Sequence, residues 1–229
     1  MTTEMRLRTC LLLFSLPAIL PADSKAVERV REAATVFDEV MGIKERTIPQ
    51  ELLDGAECVG IVPSLKKGAF IFGGKYGKGV ISCRPENGEG WSGPSTIRVE
   101  GGSFGLQAGG TAIDLVLLVM NRRGADKLLQ SRFTLGGDAT VAAGPVGRSA
   151  TAQTDAQMYA EILSWSRSRG LFAGVSLAGA TLRQDADDNR RIYGKRVTPQ
   201  QILREAEQPP ESVQVLIDTL SKYSSRRKP

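Results

Sequence analysis

The chain has no histidine among its 229 residues. That absence removes the Ser-His-Asp triad, Cys-His proteases, histidine metal sites and phosphohistidine chemistry. Cysteine is scarce at 3 residues. The longest leading apolar run, Cys10 to Leu20, falls well short of the roughly 20 residues that cross a bilayer as a helix. Hydrophobic residues at 41% and charged residues at 24% are ordinary globular values, which excludes a disordered chain and a multi-span membrane protein. Glycine, at 25 residues, is above its average share and has no collagen-like period, which favours β-structure with many turns and bulges.

Residues 1–22 read as a secretory signal peptide: Arg6 and Arg8, then the apolar run, then Pro21-Ala22 before the polar turn at Asp23. Removing them removes Glu4, Arg6 and Arg8, a net +1, so the chain falls from +5 to a still basic +4. The expectation is an exported protein, periplasmic or extracellular. Cys58 and Cys83 remain, each near the end of a strand-like run. A cross-strand disulfide between them is one reading and two separate buried thiols the other.

Ser24 can cap a helix with Val27, Val30, Ala34, Phe37 and Met41 at helical spacing and Gly42 as its stop. Its first half is basic through Lys25, Arg29 and Arg31. The stripe suits packing on a core, with insertion into a lipid surface as the alternative. From Ala56 to Leu182 short β-like runs alternate with glycine. One run stops at Pro63, and strands are expected at Gly68–Cys83 (two, with a bend), Trp91–Val99, Ser103–Thr111, Phe133–Ala143, Met158–Ser166 and Leu171–Leu182. Leu115 to Met120 is apolar throughout, so it belongs at the sheet centre, buried on both faces. Gly124–Gln130 reads as a short helix. Thr198-Pro199-Gln200-Gln201 opens a capped helix, and Val213, Leu216, Ile217, Leu220 and Tyr223 line a last one before the basic tail 224–229. The fold class is therefore α+β: one domain, 23–229, with a curved, mainly antiparallel sheet or barrel and amphipathic helices at both ends.

No motif supplies catalysis. Gly101-Gly102-Ser103-Phe104-Gly105 matches G-x-S-x-G but has neither a following helical pattern nor a histidine base. Gly73 to Gly79 meets neither phosphate-loop spacing. Asp185, Asp187, Asp188 and Asn189 lack the glycine and glutamate of a calcium loop and read as the capped start of a helix closing at Gly194. Lys66, Lys67, Lys75 and Lys78 lie in or near two turns with Phe70, Phe72 and Tyr76, a composition suited to an anionic surface. The basic residues are otherwise scattered among acids, which argues against nucleic acid.

The blocks VGIVPSLKKGAFIFGGKYGKGVISCR, WSGPSTIRVEGGSFGLQAGG, DLVLLVMN, FTLGGDATVAAGP, SRGLFAGVSLAGATL and IYGK, from about Ala33 to Leu203, strongly resemble the SYLF, or lipid-binding SYLF, domain. The resemblance implies a non-enzymatic domain: eukaryotic members bind phosphoinositide membranes and some yeast relatives bind actin filaments. Family lipid binding is associated with a basic amphipathic N-terminal helix, here Ser24 to Met41. With an export leader, the expected ligand becomes anionic phospholipid of a bacterial envelope, with Lys25, Arg29, Arg31, Lys66, Lys67, Lys75 and Lys78 as headgroup contacts. The alternative is a structural or protein-partner module of the envelope. No cofactor or metal is expected.

Overall fold

The computed structural model describes residues 25–43, 47–69, 72–85, 89–104, 109–146, 157, 159–168, 171–205 and 207–225. The leader, Ser24, Phe70 and the tail beyond Ser225 lie outside them. Helix α1 (Lys25–Met41) and the short α2 (Gln50–Gly55) precede strands β1 (Cys58–Ala69), β2 (Phe72–Cys83), β3 (Ser95–Phe104) and β4 (Gly109–Val119). Helix α3 (Arg122–Leu128) leads to β5 (Arg132–Thr134), β6 (Val141–Ala143), β7 (Ile162–Ser168), β8 (Leu171–Gly174) and β9 (Thr181–Gln184). Helices α4 (Ala186–Tyr193), α5 (Pro199–Leu203) and α6 (Gln214–Tyr223) close the chain. The strands form one curled sheet in the order β5-β9-β3-β2-β1-β4-β7-β6, with β8 on β7. All pairs are antiparallel except β6 with β7. The expected α+β class with helices at both ends is observed.

Two core layers sandwich the sheet. Val59, Ile61, Val80, Val116, Leu118, Leu163 and Trp165 meet α1 and α6 on one face. Leu65, Ile81, Val99, Leu115, Leu117, Phe133 and Leu182 meet Leu128, Ile202 and Leu203 on the other. β4 therefore alternates between two cores, the physical reason its segment tolerates no polar residue from Leu115 to Val119. The stripe of α1 packs inward, with Val30, Phe37 and Val40 fully buried and the Phe37 ring 5.9 Å from that of Tyr223.

Several boundaries differ from expectation. Pro63 does not end β1: Pro63-Ser64 forms a one-residue bulge, which suits a residue without an N–H. The runs expected at 133–143 and 171–182 each split in two. Gly136 and Gly179 take φ of 83° and 81°, a left-handed geometry that ends a strand. At Gly79 a Cβ would lie 2.3 Å from the Ile61 carbonyl oxygen, so glycine there lets β2 close on β1. Ser103 sits within β3 opposite Gly73, not on a strand-to-helix turn. Cys58 and Cys83 face each other in register and are joined by a disulfide. Beside it the buried Arg84 stacks 4.0 Å over Trp91 and donates to the Ala56 carbonyl and to Ser224 Oγ, tying β2 to the end of α6.

Candidate functional site

The bulge at Pro63-Ser64 decides how the lysines are presented. Ser64 takes φ 52° and donates its N–H to Asp114 Oδ1 at 3.0 Å, and the slip leaves Val62 and Leu65 on the same core face. By strand alternation Lys66 then shares the α1 face with Tyr76 opposite it, while Lys67 and Lys75 oppose each other on the other face. Lys66 and Tyr76 are exposed, and Lys67 and Lys75 are half-buried. Among the described residues no carboxylate pairs with Lys66, Lys67 or Lys75. Burial, and then the charge of Lys75, hold the Lys67 ammonium below the usual lysine pKa. Like charges placed directly opposite destabilise a sheet. The end of this hairpin therefore has unused positive charge and an energetic reason to accept an anion.

The other basic residues are placed differently. Lys78 points toward α1 and α4, where its ammonium lies 2.7 Å from Asp185 and 2.9 Å from Asp188. Burial works against that charge, but the hydrogen bonds to the two aspartates outweigh it and raise the Lys78 pKa. Arg29 reaches the same Asp188 at 2.9 Å, joined by Arg191 at 2.5 Å. Lys25 is exposed in the first turn of α1. Arg31 is exposed beside a groove of about 470 Å³ that also has Glu28, Glu32, Glu39, Asp114 and Arg167 on its walls. The seven expected contacts thus occupy three places: the outer side of α1, a buried ionic cluster, and the two faces of the hairpin end.

The sequence places a capped helix starting near Asp187 and closing at Gly194; its N-cap is Asp185, which accepts from the Asp188 N–H, and Gly194 closes it with φ 69°. Sequence reading did not find that Asp188 is the counter-ion of Arg29 and Lys78. The available signal was an acidic first turn on a helix that must pack somewhere basic.

A family model described as "Ysc84: Las17-binding protein actin regulator" matches residues 100–223. The LAS seventeen-binding protein 3 of Saccharomyces cerevisiae is 34% identical over 218 residues, covering 93% of this chain and 47% of the relative. Protein YSC84 of the same yeast is 34% identical over 191 residues, covering 82% of this chain and 40% of the relative. SH3 domain-containing YSC84-like protein 1 of Rattus norvegicus is 29% identical over 211 residues, covering 90% and 62%. The chain spans about half the length of the two yeast relatives.

These matches correct the expected localisation. The family is described as an actin regulator and the relatives named here come from yeast and rat, so export to a periplasm or out of the cell, and the envelope setting built on it, do not stand. The leader reading itself falls on residues outside the described ones. No helix among the described residues is long and apolar enough to cross a membrane. The family model covers more than half of the chain and the two yeast relatives are 34% identical over most of it, so the chain belongs to the Ysc84 family of SYLF-domain proteins.

Proposed function

We propose that this chain is a non-catalytic binding module that docks peripherally on anionic phospholipid through the end of the β1–β2 hairpin. Lys66, Lys67 and Lys75 are its headgroup contacts, with Lys25 and Arg31 as flanking charge. The observation that carries the reading is the opposed pair Lys67 and Lys75, two cations whose repulsion an anionic headgroup relieves. Arg29 and Lys78 already hold Asp188 and act within the fold. At roughly 1 kcal/mol per lysine, charge alone gives less than millimolar affinity. Apolar contact supplies the rest, and the exposed Tyr76 beside Lys66 is placed to begin it. The α1 stripe cannot do so without leaving the core.

The test is co-sedimentation of the full chain with phosphatidylcholine vesicles and with vesicles that also contain phosphatidylserine, at low and moderate salt. Binding only to the anionic vesicles, weakened by salt and lost in K66E/K67E/K75E, is expected. Equal binding by that variant removes the site. Absence of binding to both vesicles favours a second reading, a protein-partner module, which the relatives' names for LAS seventeen binding and SH3 domains support. Those names describe whole relatives, of which this chain matches a part.

A further inference from the structure

Lys67 stands in an in-register row on the second face of the sheet, with Lys75 opposite it on β2 and Thr111 opposite it on β4. Two residues back on the same face are Leu65 of β1 and Ile113 of β4, both buried in the second core layer. The matching position of β2 is Gly77, where a Cβ would lie 2.7 Å from Leu65 Cδ1, so Leu65 covers it. The only acids on β1 to β4 are Glu100 and Asp114. Each follows a residue buried in the second layer, Val99 and Ile113, so each lies on the α1 face. The patch that these strands build around Lys67 is therefore apolar apart from one hydroxyl and one second ammonium. Half-burial strips water from the Lys67 charge and Lys75 repels it, and both effects favour the neutral amine with its lone pair.

We propose that Lys67 is a carbonyl-reactive amine that forms a reversible imine with a small oxo acid, an aldehyde or ketone carrying a carboxylate, while Lys75 holds that carboxylate. A lysine that is desolvated or set beside another cation is a recognised way for a protein to prepare this nucleophile. Neutral Nζ adds to the carbonyl carbon, forming a C–N bond as the C=O π electrons pass to oxygen. The oxygen takes both amine protons in turn and leaves as water, and C=N remains with no electrons exchanged. Side chains directly opposite across the ladder start about 5 Å apart at Cβ, so a two- or three-carbon molecule can meet both amines. The ammonium-carboxylate contact is charge-assisted and selects an anionic carbonyl over a neutral one. The site shares two lysines with the docking surface proposed above but does not rest on it, and its assay contains no lipid.

The test incubates the full chain at pH 7 with glyoxylate and sodium cyanoborohydride, which fixes each imine as a carboxymethyl amine. Peptide mass mapping follows every lysine, with the exposed Lys25 as internal reference, and propionaldehyde replaces glyoxylate in a parallel series. In wild type Lys67 is expected to label at least about threefold faster than Lys25, the factor that one unit charge a few ångström away produces even in water-like surroundings. K75Q is expected to lower the Lys67-to-Lys25 ratio about threefold with propionaldehyde and further with glyoxylate, whose carboxylate has lost its partner. K66Q, which removes a charge from the opposite face, is expected to leave the ratio near its wild-type value. Labelling of Lys67 no faster than Lys25, or a ratio unchanged in K75Q, overturns the proposal. So does a Lys67 preference equal for the two aldehydes, because Lys75 then selects no carboxylate. If K75Q fails to fold, the distribution of label in wild type and the comparison of the two aldehydes decide without it.

Discussion

Lys67 meets Lys75 across the β1–β2 ladder, and burial together with that neighbour lowers its pKa from 10.5. The unfolded chain then holds this proton more tightly than the folded one. Stability therefore rises with pH across the window between the depressed folded value and 10.5. Lys67→Gln removes the repulsion and the titration together. It is expected to raise stability at pH 7 by a few tenths to about 1 kcal/mol and to abolish that rise, while weakening binding to anionic vesicles. Urea denaturation at pH 7 and pH 10 checks both parts, and a variant less stable than wild type at pH 7 would show that the opposition carries no strain. The lysines themselves were legible in the sequence from their spacing beside aromatics. Their faces were not, because a single extra residue at Pro63-Ser64 sets the parity of everything after it, and one chain gives no view of its partner strands.

Helix α1 was legible because Val27, Val30, Ala34 and Phe37 repeat at helical spacing, and β4 because it is apolar on both parities. What fastens α1 was not, since Arg29 and Asp188 are 159 residues apart. The parallel pair of β6 with β7 was equally hidden, for three residues carry no period that distinguishes direction. Asp188 is the shared anion of Arg29, Lys78 and Arg191. Burial opposes its charge, but the hydrogen bonds from Lys78 and Arg191, with the charges of Lys78 and Arg29, keep its pKa below 3.8. Its folded value lies below the unfolded one, so its contribution is complete above about pH 5 and is lost as pH falls through the folded value. Asp188→Asn takes from the partly exposed Arg29 and Lys78 and the exposed Arg191 their shared buried counter-ion and is expected to cost about 2 kcal/mol at pH 7. Because the neutral side chain no longer titrates, the variant should also lose stability less steeply than wild type below pH 4. Thermal melts from pH 3 to pH 7 read both, and parallel acid limbs in the two proteins would remove Asp188 from the clasp.

The two core layers share one sheet, and β4 is the strand through which they meet. Leu117 and Leu118 are neighbours in sequence yet belong to opposite layers, each essentially without exposure. The Cys58–Cys83 bridge pins β1 to β2 at one end, and Arg84 ties the same end to α6, so the helical and sheet layers are joined again outside β4. A molecule linked in this way should lose both layers in one transition. Leu117→Ala and Leu118→Ala are each expected to cost about 2–5 kcal/mol, the usual range for a leucine removed from a packed core. The discriminating probe is tryptophan fluorescence, because Trp91 and Trp165 both lie in the α1 layer. Leu117→Ala cuts the opposite layer, so if the layers unfolded separately it would lower the circular-dichroism midpoint and leave the fluorescence midpoint in place. A single cooperative unit instead requires the two midpoints to fall together in both variants, even though the substitution in one of them lies across the sheet from every reporting ring.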